Sequence, residues 1–134
     1  MSSRASWLFG LGSITAGIGA SYLLTSSGLV ASAGAYFVIV LVGALLATRK
    51  TLATAGSTIG RFLLLGLVAS IAYFYLVHHA VHAAATAATD VDPSTADQAG
   101  AVVGSAFGAI VAVATFIETI IAATIGALIG ARGK

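Results

Sequence analysis

The sequence predicts an all-α integral membrane protein with four transmembrane helices that form two antiparallel hairpins in a four-helix bundle. The first observation is composition, because 59% of the 134 residues are hydrophobic and only 7% are charged, whereas soluble proteins average about 25% charged residues. The second is that the apolar runs reach the length of about 18 to 20 residues that a helix needs to cross a bilayer. The third is the placement of the basic residues along the chain.

The first hairpin is predicted from two apolar runs. Helix one is predicted over residues 6–24 and helix two over residues 29–48, joined by a short polar connection with Gly28 available for a positive φ. A cleaved signal peptide is the alternative to helix one, but the apolar region of a signal peptide spans about 7 to 15 residues. This run is longer, and a cut at the small residues 31–33 would fall inside the second run. We therefore expect two membrane-spanning helices.

The second hairpin is predicted from the remaining apolar runs. After a mildly polar linker over residues 51–60, helix three is predicted over residues 62–81, with an extension through an Ala and Thr tract to residue 89. Residues 90–100 are predicted to be a loop, because they hold three of the four acidic residues and the only proline. Helix four is predicted over residues 101–131. The whole chain, residues 1–134, is predicted to be a single transmembrane domain.

The basic residues predict the orientation. In a four-helix layout all six fall on one side, and a three-helix or five-helix layout would divide them; they are Arg4, Arg49, Lys50, Arg61, Arg132 and Lys134. Basic residues accumulate in cytoplasmic loops. We therefore expect a multi-pass protein of the cell membrane, inner or plasma, with both termini cytoplasmic and with Asp90, Asp92 and Asp97 on the opposite side. The basic residues form no continuous face of the kind that binds nucleic acid.

Helix four carries a stripe of small residues at spacings of three and four. Its members are Gly104, Gly108, Ala112, Thr115, Thr119, Ala122, Gly126 and Gly130. Small residues let two helix backbones approach closely in lipid, where close packing drives association. We expect this stripe to pack on another helix, within the chain or in a homo- or hetero-oligomer with other membrane helices.

Glu118 lies at the edge of this stripe and is the only charged residue in residues 101–131. A charged residue at a helix centre costs about 2.5 to 3.5 kcal/mol on insertion scales, so we expect a protonated carboxyl group that faces protein or a narrow hydrated gap. One interpretation is an intramembrane polar site with Thr115 and Thr119 that joins helices by hydrogen bonds. The other is a proton- or cation-handling carboxylate. Other hydroxyl partners in the membrane runs are Ser13, Ser21 and Tyr36.

Three histidines lie at the far end of helix three. The spacing of His78 and His82 places two imidazoles on one helix face, an arrangement that binds metals, with Asp90 or Asp92 as further candidate ligands. The alternative is a set of interfacial side chains with apolar bodies and hydrated tips, together with His79. We expect no bound metal and no other cofactor. Because histidine titrates near neutral pH, the cluster also suggests a pH-responsive element.

These patterns favour three classes of function and exclude enzymes. The chain has no cysteine, and no serine or threonine is paired in sequence with a base and an orienting acid. The leading expectation is a structural or accessory subunit of a membrane assembly, cellular or viral, that acts through small-residue helix packing. The alternative is a small ion or proton channel or transporter that uses Glu118. A pH- or metal-responsive sensor that uses the histidines is third. The usage of Ala, Gly, Thr and Asp, with only two lysines, is typical of a GC-rich prokaryotic genome.

Overall fold

The computed structural model describes residues 3–88 and 93–134, which are helical apart from short connections. The four α-helices are α1 (Ser3–Leu23), α2 (Leu29–Lys50), α3 (Ala55–Ala88) and α4 (Pro93–Arg132). A short 3-10 helix over Thr25–Ser27 joins α1 to α2, and the turn closes on Gly28, which adopts a φ of 109°. The prediction of an all-α protein is confirmed.

Three stretches of these helices are long and apolar enough to cross a membrane. They are Leu29–Lys50, Ala55–Ala84 and Ala101–Arg132, each longer than the about 20 residues that span the hydrocarbon core. α1 is not among them, because its glycines, its serines and Arg4 make it less apolar. By length and composition, the described part of the chain therefore has three helices that could span a membrane.

The linker predicted over residues 51–60 is shorter in the structure, because α3 already begins at Ala55. Thr54 caps this helix, since its Oγ1 accepts a hydrogen bond from the backbone N–H of Ser57 at 3.2 Å. Threonine is a favoured N-cap residue because it satisfies one of the unpaired N–H groups of the first turn. The predicted linker is wrong here because Gly56, Ser57 and Gly60 lie within the helix and do not interrupt it.

The loop predicted over residues 90–100 is also shorter, because α4 begins at Pro93. Proline is favoured at the first position of a helix, where its missing N–H would have no partner within the helix. Polarity misled the prediction, because a helix that is polar in its first turns continues into the apolar run without a break. Residues 89–92, with Asp90 and Asp92, lie outside the described residues.

The chain forms two compact units. The first comprises Met1–Leu67 and Ile117–Lys134, and the second comprises Val68–Phe116. Within the first unit α2 has a buried face, whose members recur at the helical spacing of three and four. They are Tyr36, Val40, Gly43, Ala44, Ala47 and Thr48.

α1 and α2 form an antiparallel hairpin in the first unit. The ring of Tyr36 packs on Gly17, where an added Cβ would lie 2.9 Å from Tyr36 Cδ2. Further from the turn, Ser13 packs directly on Gly43. Near the turn, the hydroxyl groups of Ser21 and Ser32 are 2.7 Å apart and share a hydrogen bond.

The last part of α4 packs on α2 and runs in the same direction. Gly126 lies on the backbone oxygen of Leu41, and a Cβ at Gly130 would lie 2.6 Å from the backbone oxygen of Leu45. α3 begins beside the end of α2, where Thr48 Oγ1 donates a hydrogen bond to Thr58 Oγ1 at 2.9 Å. In this unit α2 therefore contacts all three of the other helices.

The second unit is an antiparallel pair formed by α3 and α4. A Cβ at Gly108 would lie 2.8 Å from the backbone oxygen of Phe74, and one at Gly104 would lie 2.7 Å from that of His78. The two glycines are one turn apart on α4 and meet residues one turn apart on α3. Here too the helix backbones approach closely at glycine.

Candidate functional site

The first unit holds a buried hydrogen bond between two helices. The hydroxyl group of Tyr36 on α2 and Oγ1 of Thr119 on α4 are 2.7 Å apart. Both side chains are buried, with Tyr36 2% exposed and Thr119 fully enclosed. A buried hydroxyl group without a partner is costly, so this pair joins α2 to α4 at a fixed register.

Glycines on two further helices make room for this pair. Gly17 of α1 lies under the Tyr36 ring, and a Cβ at Gly66 of α3 would lie 2.7 Å from Thr119 Cγ2. A side chain at either position would displace one member of the hydrogen bond. The Tyr36–Thr119 pair is therefore enclosed by residues from all four helices of the first unit.

Glu118 lies next to this pair in sequence but at the edge of the buried face of α4. Its side chain is half-buried, and its carboxyl group lies close to the backbone of Phe37 on α2. Large apolar side chains exposed on the same stretch of α4 are Ile117, Ile121 and Ile125. The Glu118 side chain thus lies beside α2 and is partly exposed.

The other hydroxyl groups named from the sequence lie elsewhere. Ser13 Oγ donates to the backbone oxygen of Gly10 in its own helix at 3.2 Å. Ser21 is bonded to Ser32 at the α1–α2 turn. Thr115 is half-buried and belongs to the second unit.

The small residues of α4 meet two different helices. Gly104 and Gly108 lie on the α3 backbone in the second unit, and Gly126 and Gly130 lie on the α2 backbone in the first. Ala122 is fully buried in the first unit. Ala112, in the second, is half-buried.

The three histidines lie in the second unit. The rings of His78 and His82 have centroids 5.9 Å apart, and that of His79 is 5.6 Å from His78. Nδ1 of His78 is 3.3 Å from Ser105 Oγ of α4, within hydrogen-bonding distance. Among residues 3–88 and 93–134 no group of three or more His, Asp or Glu side chains is placed to hold a metal ion.

Basic residues of the first unit gather where α2 and α4 end and α3 begins. Lys134 Nζ donates to the backbone oxygens of Thr51 and Ala53 at 2.9 and 2.8 Å. A Cβ at Gly133 would lie 3.0 Å from Nε of Arg49. Arg61 at the start of α3 lies over the Trp7 ring of α1, 5.7 Å from its centroid. We call this part of the first unit the basic end.

Sequence reasoning missed two features of this unit. The Thr48–Thr58 hydrogen bond could have been suspected, because Thr48 falls on the buried face of α2 at helical spacing from Val40 and Ala44. The Lys134 contacts could not, because they join residues 81 and 83 positions apart in the chain. Comparison with protein-family models, with curated proteins and with solved structures finds no match to this chain.

Proposed function

We propose that the chain is a multi-pass membrane protein that acts as a structural or accessory subunit of a membrane assembly, and that Glu118 lies at its contact with a neighbouring subunit. The observation that carries this proposal is the position of Glu118. Its carboxyl group lies beside α2, and its side chain is only half-buried among exposed isoleucines of α4.

The energetic cost of a half-exposed carboxyl group within an apolar run supports the presence of a partner helix. Intramembrane acidic residues almost always face protein or a water-filled cavity, because exposure to hydrocarbon is expensive. Tyr36 is seven residues from the start of α2, or about 10 Å along the helix axis. The neighbouring Glu118 is therefore well below the end of the hairpin. We propose that a helix of a second copy, or of another membrane protein, covers the exposed part of the Glu118 side chain.

The small residues of α4 support a division of roles. Gly126 and Gly130 are in contact with the backbone of α2, so in this proposal they hold the subunit together and leave the partner contact to the Glu118 edge. A hydrogen bond from the partner helix to the Glu118 carboxyl group would be the specific element of that contact. Interhelical hydrogen bonds in lipid contribute about 0.6 to 2 kcal/mol.

Paired substitutions at Glu118 test this proposal. Glu118→Gln retains the shape and the hydrogen bonding but cannot ionise, so the subunits should associate as in wild type. Glu118→Leu should weaken association about fivefold, the effect of about 1 kcal/mol. Association between copies is measured by energy transfer between labelled proteins in liposomes. Association with another protein is measured in the host membrane by crosslinking from a photoreactive residue at position 38. Thr15→Leu, at an exposed position of α1, is the matched control.

Two results would contradict the subunit proposal. If neither assay detects a partner for the wild-type protein, the contact does not exist. If Glu118→Gln leaves association intact but abolishes proton or cation flux in liposomes, the carboxyl group serves conduction, and the channel or transporter becomes the better proposal.

We propose four membrane spans with both termini in the cytoplasm. The three helices that are apolar enough to span support this arrangement, and the antiparallel hairpin with α2 supports α1 as the fourth, since its 21 residues extend about 32 Å. Gathering of basic side chains at the basic end supports a cytoplasmic position for that end.

Cysteine accessibility tests this topology. In whole cells, a membrane-impermeant thiol reagent should label Thr95→Cys, near the start of α4, and should not label Gly56→Cys, near the start of α3. After lysis both should react. The chain has no native cysteine, so each signal has one source. Labelling of position 56 from outside, or protection of position 95, would contradict the proposed topology.

A further inference from the structure

An open groove runs along the surface of the first unit between α1 and α2. It has a volume of about 520 Å³. Apolar side chains and small residues of both helices line it; the residues that matter here are Leu8, Phe9, Gly12, Val42, Gly43 and Leu46. The hydroxyl group of Ser13, also in the lining, is bonded to the backbone of Gly10. The groove therefore offers an occupant almost only apolar contact.

Two basic residues follow the groove lining along its two helices. Arg4 precedes Leu8 by four residues on α1, and Lys50 follows Leu46 by four residues on α2. Residues four apart share a helix face, so each basic residue lies one turn beyond the groove lining on the same face. Both are exposed. Arg49, by contrast, is in contact with the end of α4.

We propose that this groove binds one anionic phospholipid, with an acyl chain between α1 and α2 and the phosphate at Arg4 and Lys50. This inference rests on the proposed insertion in a membrane, and charge complementarity selects the occupant. An apolar groove with two cations one turn beyond its lining matches a molecule with an apolar chain and an anionic head, and basic sites at the cytoplasmic side of helix bundles bind anionic lipid head groups. A helix of a second copy would instead leave both cations without an anionic partner.

The glycines of α1 provide a matched pair of variants. A Cβ added at Gly12, which lines the groove, would meet nothing within 4 Å, and the same holds for Gly19, which does not line the groove. Gly12→Leu should therefore fill the groove without straining the fold. Gly19→Leu adds the same side chain to the same helix outside it.

Trp7 is the only tryptophan and lies on α1 beside the groove-lining residue Leu8, so quenching of its fluorescence by brominated lipids reports local lipid binding. The protein is reconstituted in phosphatidylcholine with increasing brominated phosphatidylglycerol. In wild type, quenching should saturate at a low fraction of the anionic lipid. Arg4→Gln and Lys50→Gln should each weaken the preference about fivefold, the contribution of one basic side chain at an anionic surface. Gly12→Leu should abolish the saturable component, and Gly19→Leu should retain it.

Three outcomes would overturn the lipid site. One is an unchanged preference in Gly12→Leu, which would place the lipid outside the groove. Another is an unchanged preference in the double variant of Arg4 and Lys50. The third is a crosslink between copies from a photoreactive residue at Val42, which would identify a helix as the occupant. If a variant loses the lipid preference but keeps Glu118-dependent association, the lipid site is separate from the subunit contact. If no brominated lipid quenches the fluorescence, the membrane insertion on which both proposals depend is wrong.

Discussion

Replacing Gly126 by leucine should destabilise the protein by at least about 3 kcal/mol, the upper end of the range for overpacked sites. Gly126 lies on the backbone oxygen of Leu41, and a Cβ at this position would also lie 3.1 Å from Ala44 Cβ. A flexible side chain could turn away from an added atom, but a helix backbone cannot. The new side chain should therefore force α4 away from α2 and break the Tyr36–Thr119 hydrogen bond.

Thermal unfolding of the detergent-solubilised protein, followed by circular dichroism and size-exclusion chromatography, measures this effect. Gly126→Ala should be destabilised as well, though less, because the first added atom already meets the backbone of α2. Gly19→Leu is the control, since a Cβ there has open space. It should unfold at the wild-type temperature or above, because leucine is the better helix former. If Gly126→Leu and Gly19→Leu unfolded alike, the close α2–α4 contact would be wrong.

The helices could be predicted because apolar runs, and the residues that start or end a helix, are local signals. Leu29, where α2 begins, follows directly on Gly28 with its positive φ. The predicted starts of α3 and α4 are too late, because Thr54 and Pro93 lie in polar segments that resemble loops, although both residue types favour helix starts. Polarity marks exposure to water and does not by itself end a helix.

The partners of each helix face could not be predicted, because periodicity identifies a face without saying what it meets. The sequence of the stripe on α4 predicts one continuous surface. In the structure its glycines at 104 and 108 lie on α3, and those at 126 and 130 lie on α2. Likewise Tyr36 could be named as a hydroxyl group within a membrane run, but its bond to Thr119 joins residues 83 positions apart. Such pairings depend on the tertiary arrangement of all the helices.

Tyr36 provides the second large effect. Tyr36→Ala should cost about 3 kcal/mol, as for other large aromatic side chains removed from a core, because the ring fills the space between Gly17 and Thr119 and is only 2% exposed. Tyr36→Phe retains the ring and removes only the hydroxyl group. It should cost about 0.6 to 1 kcal/mol, the scale of an interhelical hydrogen bond in lipid.

The comparison of these two variants separates packing from hydrogen bonding, and Thr119→Val completes a double-mutant cycle with Tyr36→Phe. Because each single variant already breaks the bond between these two groups, the double variant should be more stable than the sum of the two single losses predicts. Tyr22→Ala is the control, because Tyr22 on α1 is 79% exposed and its loss should change stability by less than about 0.5 kcal/mol. Equal losses for Tyr36→Ala and Tyr22→Ala would show that the Tyr36 ring does not lie in the core of the first unit. A Tyr36→Phe variant as unstable as Tyr36→Ala would instead assign nearly all of the effect to the hydroxyl group, and the glycines at positions 17 and 66 would then serve chiefly to position that bond.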